Sequence, residues 1–106
     1  MKRYGSVIKL KPEMEEEYKK LHANCWEKVL KQINDCGIRN YSIFFGGGYL
    51  FSYFEYIGND YEADMQKMAD DSETQKWWSL TDPCQEKVEW AKDGEWWSEL
   101  QEVFHC

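Results

Sequence analysis

Three consecutive glycines, at positions 46–48, separate two runs that are rich in aromatic and β-branched residues. Those runs, residues 40–45 and 49–56, have the composition of β-strands, and glycine accepts the positive φ angles of tight hairpin turns. Three glycines suit several turn types. The segment therefore predicts two antiparallel strands joined by a short turn, and the other elements must be arranged around this hairpin.

The residues before the hairpin predict a strand followed by a long helix. Imperfect alternation from Tyr4 to Leu10 indicates the strand, and Pro12 suits the start of a helix. Gly37 occupies the position at which glycine commonly ends a helix. Between Glu13 and about Asp35, apolar or aromatic side chains recur at helical spacing, at Met14, Tyr18, Leu21, Cys25, Val29 and Ile33.

The residues after the hairpin predict a second helical region and one more strand. Asn59 and Asp60 offer an N-cap for its first helix. Pro83 and weak periodicity indicate an irregular or functional connection further along. The predicted order is a helix over residues 61–68, a helical stretch over 72–78, the connection over 81–94 and a terminal strand over 100–105.

The order of these elements, β-α-β-β-α-β, is that of the ferredoxin-like fold in the α+β class. A chain of 106 residues supports one domain, so residues 1–106 are expected to form a single unit. In this fold the helices cover one face of an antiparallel sheet and leave the other open. Because a broad apolar face is unfavourable in water, a lid or, more economically, a second copy in a back-to-back homodimer should cover it.

The charge balance excludes several classes of function. The net charge is −7, and an acidic surface repels nucleic-acid phosphates and anionic lipids, so we expect neither nucleic-acid nor membrane binding. A neutral small molecule such as a sugar is compatible with this charge. Residues 1–11 hold no sustained apolar segment of the kind found in signal peptides, which predicts a cytoplasmic protein.

The four cysteines predict neither a disulfide scaffold nor a metal site. They form no CxxC pair, and thiols used as small apolar side chains fit a reducing compartment. A zinc site built from His22, Cys25, Cys36 and Cys84 would have one close ligand pair, whereas zinc motifs normally supply two. We therefore expect no metal.

Tyr18, His22 and Trp26 follow one another at four-residue steps. On the predicted helix these residues share one face, so a phenol, an imidazole and an indole project together, with Trp26 a candidate for lining a pocket. Histidine titrates near neutral pH and can both donate and accept a proton. The alternative is a packed, hydrogen-bonded histidine, which on spacing alone is the more common role.

Two adjacent tryptophan pairs are the other unusual feature. Neighbouring residues of a helix diverge by about 100°, so either Trp77 or Trp78 should face a cavity, a partner or solvent. Aromatic faces suit the apolar faces of sugar rings, although such pairs more often serve a core and an interface. Trp96 and Trp97 present the same ambiguity.

Several segments together resemble the L-rhamnose mutarotase family in order, spacing and overall length. They are EEYKKLHANCWEKV at 16–29, NYSIF at 40–44, WW at 77–78 and ELQEVFH at 99–105. The resemblance implies a dimeric α/β barrel and cofactor-free interconversion of the α and β anomers of L-rhamnose. It also implies that His22 is the proton donor, and that the sugar is contacted by Tyr18, Tyr41, Trp77 and Trp78.

Mutarotation opens the sugar ring and closes it again on the other face of the aldehyde, and both steps are proton transfers. Our hypothesis is that His22 protonates the ring oxygen, while Tyr41, Tyr18 or an ordered water handles the anomeric hydroxyl. Residues 79–95 depart from the family pattern, which keeps L-fucose or another deoxyhexose as alternative substrates. Two further alternatives are a haem- or quinone-type monooxygenase of the same fold, with His22 as haem ligand, and a non-catalytic sugar-binding dimer.

Overall fold

A computed structural model describes all residues, 1–106, and gives a mixed α+β architecture. Single turns of 3₁₀ helix cover Pro12–Met14 and Asp82–Cys84. The regular elements, in chain order, are β1 (Lys2–Leu10), α1 (Glu15–Ala23), α2 (Glu27–Asp35), β2 (Ile38–Gly46), β3 (Tyr49–Tyr56), α3 (Tyr61–Asp70), α4 (Ser72–Thr81), β4 (Gln85–Glu86) and β5 (Ser98–Leu100).

The strands form one antiparallel sheet in the order β2-β3-β1-β4, and β5 also pairs with β1. This arrangement confirms the predicted α+β, ferredoxin-like class, with the last strand divided into two short pieces. The predicted hairpin is confirmed as well. Gly46 pairs with Tyr49, so Gly47 and Gly48 are the two turn residues, and their φ angles of 60° and 85° are the positive values that a type I′ turn needs.

The two sides of the sheet differ in what covers them. On the helix side, Ile8 of β1 and Leu50 of β3 face each other and pack with Tyr18 of α1 in the main core cluster. On the open side, Phe51 lies opposite both Val7 and Phe44, and Phe51 and Phe44 stay exposed. The helix side therefore carries the core that positions the helices.

The prediction of one continuous helix up to Asp35 is wrong. Helix α1 ends at Ala23, and α2 begins only after Trp26, whose backbone is extended at φ −66° and ψ 137°. Asn24 lies at the break, and asparagine favours helix ends because its side chain competes for backbone hydrogen bonds. Trp26 is consequently not on the same helix as Tyr18 and His22.

The helices after the hairpin begin where the sequence predicts, at Tyr61 and Ser72, and each is capped by an aspartate, of which the sequence had indicated only Asp60. The Asp60 carboxylate accepts a hydrogen bond from the Ala63 N–H at 3.1 Å, and α3 follows it. The Asp71 carboxylate accepts one from the Thr74 N–H at 2.9 Å and starts α4. Both helices run two or three residues past their predicted ends.

The predicted terminal strand is mostly absent. β5 covers Ser98–Leu100, and residues 101–106 are exposed and form no regular structure. The apolar side chains of Val103 and Phe104, which suggested a strand, find no covering surface within the chain and are 86% and 79% exposed. The connection over 81–94 is largely irregular, as predicted. None of the helices has both the length and the apolar character required to cross a bilayer.

Candidate active site

A cavity of about 420 Å³ opens between α1, β2, α4 and the connection that follows α4. Its volume is in the range of small-molecule sites. Most of its wall is aromatic, with a few polar groups. The lining residues are Tyr18, His22, Tyr41, Ile43, Trp77, Trp78, Thr81, Asp82, Gln85, Trp96 and Trp97.

Tyr18 and His22 lie one turn apart on α1, and their rings stack with centroids 4.1 Å apart. The His22 Nδ1–H donates to the Tyr18 carbonyl oxygen at 2.9 Å. This bond fixes the ring in place and also fixes its tautomer, because a carbonyl oxygen can only accept and Nδ1 must therefore carry the proton.

The chemistry of His22 follows from that tautomer. With the proton on Nδ1, the Nε2 atom of the neutral ring presents a lone pair, and no group of the chain bonds to it. Burial lowers the pKa of His22 below its usual 6.5, since a charged imidazolium is poorly solvated there, while the backbone hydrogen bond acts in the opposite direction. At neutral pH the side chain is thus a neutral proton acceptor.

The tryptophan pair divides as helical geometry predicts. Trp77 is buried, at 6% exposed, and its ring meets the edge of His22 with centroids 5.3 Å apart. Trp78 points away from the core and remains 37% exposed at the cavity rim. Trp26 does not line the cavity, and its ring instead contacts Trp77 at a centroid distance of 5.3 Å. Trp77 is therefore the support that joins the α1 and α2 segments to α4.

A β-bulge aims Tyr41 into the cavity. Arg39 pairs with Glu55 and Ser42 with Tyr53, so two residues of β2, Asn40 and Tyr41, oppose a single residue of β3. Asn40 accommodates the irregularity with a positive φ of 51°, a conformation that asparagine tolerates better than most residues. The shift puts the Tyr41 side chain on the helix side of the sheet, where it reaches the cavity.

Six lining residues were not among the predicted site residues, although Trp96 and Trp97 were noted with their role left open, and the polar ones among the six are the most informative. Gln85 is 4% exposed and makes two hydrogen bonds. Its Nε2 donates to the Tyr18 hydroxyl at 3.1 Å, and its Oε1 accepts from the Trp96 Nε1–H at 2.8 Å. The only sequence signal was that residues 79–95 depart from the family pattern. The six are Ile43, Thr81, Asp82, Gln85, Trp96 and Trp97.

The phenol of Tyr18 is a hydrogen-bond donor rather than a base. Burial is the main reason that its pKa lies well above the usual 10, so the hydroxyl keeps its proton throughout the neutral range. Burial also raises the pKa of Asp82, whose carboxyl group lines the same cavity. No group of three or more histidine, cysteine or acidic side chains is arranged to hold a metal ion. The cavity thus combines a neutral base, phenol donors and aromatic faces.

Comparison with known proteins identifies relatives of this chain. A family model described as L-rhamnose mutarotase matches residues 3–106. An L-rhamnose mutarotase of Oceanobacillus iheyensis is 34% identical over 107 residues, which cover 99% of this chain and 98% of that protein. An L-rhamnose mutarotase of Lactiplantibacillus plantarum shows the same identity and coverage.

A solved structure has a similar fold. The crystal structure of an L-rhamnose mutarotase from Formosa agariphila superposes with a TM-score of 0.77 at 22% identity, covering 100% of this chain and 99% of that one. At this identity the likeness concerns the fold, and the relatives at 34% identity carry the family relationship.

Proposed function

This chain belongs to the L-rhamnose mutarotase family, and from that premise we propose that it interconverts the α and β anomers of L-rhamnose by proton transfer at His22. The observation that carries the proposal is the His22 ring, neutral and held in one tautomer at the wall of an aromatic cavity. The family relationship favours this activity over the monooxygenase and the non-catalytic sugar-binding alternatives.

The proposed cycle begins with His22 as a base. Nε2 takes the proton of the anomeric hydroxyl as the bond between C1 and the ring oxygen breaks and the C1 carbonyl forms. The resulting imidazolium then donates that proton to the ring oxygen, so the open aldehyde is neutral and His22 is restored. Rotation about the C1–C2 bond and the reverse steps give the other anomer. The proton-donor role that the resemblance implies is therefore the second half of this cycle.

The other cavity residues are proposed to bind and orient the sugar. Tyr18 and Tyr41 can donate hydrogen bonds to its oxygens, and the Tyr18 donor can stabilise negative charge that develops on a sugar oxygen as the ring opens. Trp77 and Trp78 offer an indole edge and an exposed ring face to the apolar side of the deoxyhexose. This arrangement needs no nucleophile, because both chemical steps are proton transfers.

Saturation-transfer NMR tests the activity directly, since it measures exchange between the anomeric proton signals at equilibrium. We expect the protein to accelerate this exchange for L-rhamnose, and to act less on L-fucose and on epimers of either sugar. Exchange of L-rhamnose no faster than in buffer would contradict the proposal. Faster exchange of L-fucose than of L-rhamnose would support the mutarotase reaction but would identify L-fucose as the better substrate.

The acidity of His22 predicts how activity depends on pH. Because the neutral ring starts the cycle and burial lowers its pKa below 6.5, the activity should be level near pH 7–8 and should start to fall only at a pH below that of an ordinary histidine. The measurement is the enzyme-dependent exchange rate from pH 4.5 to 8, with the buffer rate at each pH subtracted. Activity that rises towards acidic pH would instead indicate that the imidazolium starts the cycle.

We propose that the protein is a homodimer whose two sheets meet on their open sides. The support is an apolar surface that the chain leaves in solvent on that side, formed by Phe44, Phe51 and Leu100, which are 64%, 42% and 41% exposed. These residues lie on one face. Phe44 pairs in register with Phe51, and Phe51 pairs with Val7 of β1. Leu100 pairs with Gly5, which is two residues from Val7 and therefore on the same side of β1. Covering this face in a symmetric pair would remove it from water.

Sedimentation velocity tests the dimer. The parent should sediment as a dimer, and Phe51→Glu should sediment as a monomer, because a carboxylate would be buried at the centre of the proposed interface. Leu30→Glu is the matched control, since Leu30 is 52% exposed on α2, away from the open side of the sheet, and should leave the dimer intact. A monomeric parent would contradict the proposal.

A cytoplasmic location is also proposed. It is supported by the four cysteines, all of which are free thiols, as is usual in a reducing compartment.

A further inference from the structure

We propose that Gln85, held in place by Trp96, is a positioning residue that directs the hydroxyl proton of Tyr18 towards the sugar. The proposal deepens the proposed function and rests on it, because it assigns Tyr18 the part of a hydrogen-bond donor in the mutarotase cycle. Gln85 and Trp96 both follow α4, and the sequence assigned neither of them a specific role in the site.

Trp96 sets the orientation of the Gln85 amide. An indole N–H is a donor only, so the atom of Gln85 that faces it at 2.8 Å must be the carbonyl oxygen. The amide nitrogen then necessarily faces the Tyr18 hydroxyl, at 3.1 Å. A flipped amide would bring two donors together at Trp96. The Trp96 indole N–H therefore favours one of the two orientations of the Gln85 amide.

Gln85 in turn sets the direction of the Tyr18 proton. A phenol has one proton to donate, and its oxygen accepts through lone pairs. Because the Gln85 amide nitrogen can only donate, the Tyr18 hydroxyl oxygen accepts from it, and Tyr18 cannot donate its own proton to Gln85. No other group of the chain accepts the Tyr18 proton, and Tyr18 lines the cavity. The proton is consequently available to an oxygen of the bound sugar.

Burial makes this arrangement effective. Gln85 is 4% exposed and Tyr18 is also 4% exposed, so water has little access to compete for their hydrogen bonds. In such surroundings a fixed donor is worth more than in water and needs no reorganisation during the reaction. The chain Trp96–Gln85–Tyr18 thus prepares one donor of the site before the sugar binds.

The substitution Gln85→Glu reverses the polarity of the contact while keeping its shape. The new carboxylate accepts from Trp96 as before, but it also attracts the Tyr18 proton, so Tyr18 offers the sugar only a lone pair. We expect kcat/KM for L-rhamnose to fall about tenfold or more at pH 8. At acidic pH the new carboxyl gains a proton that it can donate to Tyr18, and the ratio of variant to parent activity should therefore recover as the pH falls.

Two further comparisons separate this positioning role from simple damage to the fold. Gln101→Glu, on the exposed tail, is the matched control and should keep the parent's activity and pH profile. In a Tyr18→Phe background, Gln85→Glu should have no further effect, because the group through which it acts is gone. A variant-to-parent ratio that stays constant with pH, or full additivity with Tyr18→Phe, would overturn the proposal.

A measurement without sugar tests the geometry independently of the activity. In a ¹H–¹⁵N spectrum, Trp96→Phe identifies the Trp96 indole signal by its loss. We expect that signal to shift and to exchange faster with water in Gln85→Leu, which removes the acceptor. An unchanged signal would overturn the proposed contact even in an active enzyme. If the signal shifts in Gln85→Leu but the parent does not accelerate the exchange of L-rhamnose anomers, the proposed function is contradicted, whereas the hydrogen bond between Trp96 and Gln85 is supported.

Discussion

Replacing His22 with alanine is expected to lower the enzyme-dependent exchange of L-rhamnose anomers by about 10²–10⁴, the usual contribution of a positioned acid-base group. The loss follows from the removal of Nε2, the neutral base that the cavity wall presents. Saturation-transfer NMR of the anomeric protons measures it, with far-UV circular dichroism to show that the variant is folded. A folded His22→Ala variant as active as the parent would disprove the assignment.

His105→Ala is the matched control for this experiment, because His105 is the other histidine of the chain and lies on the exposed tail. It should exchange the anomers at the parent rate. Added imidazole should restore part of the activity of His22→Ala, since a free imidazole can enter the vacated space and accept the same proton. Rescue would separate the chemical role of His22 from its packing against Tyr18 and Trp77.

Replacing Trp77 with alanine should reduce the free energy of unfolding by about 3–5 kcal/mol, the usual range for truncating a buried tryptophan. Trp77 is 6% exposed, and its ring contacts both His22 and Trp26. Its removal leaves a cavity where α1, the start of α2 and α4 meet. Because native domains are stable by only about 5–15 kcal/mol, this single change should be visible as a large shift in a urea unfolding curve.

Trp90→Ala is the control for the loss of an indole. Trp90 is 58% exposed, so its removal should change the free energy of unfolding by about 0.5 kcal/mol or less. Equal destabilisation by the two substitutions would show that Trp77 is not a central support. The activity of Trp77→Ala should also fall under conditions in which it remains folded, since the edge of Trp77 helps to hold the His22 ring.

Local chemistry explains the parts of the fold that could be predicted. Gly47 and Gly48 predicted the tight hairpin turn because few other residues adopt two successive positive φ angles. Asp60 predicted the start of α3 through the hydrogen bond that its side chain makes to the backbone. The break at Asn24 escaped prediction, because the apolar side chains keep their helical spacing across it although the backbone there is not helical.

The sequence by itself determined the fold class, the β2–β3 hairpin, the starts of α3 and α4, and the pairing of Tyr18 with His22, because turns, caps and four-residue spacing act between near neighbours. Only the tertiary structure decided which side chains complete the cavity. The β-bulge that aims Tyr41, the placement of Trp26 behind Trp77, and the contact of Gln85 with Tyr18 depend on strand register and on packing between distant segments. Gln85 and Tyr18 are 67 positions apart, and no local pattern encodes their hydrogen bond.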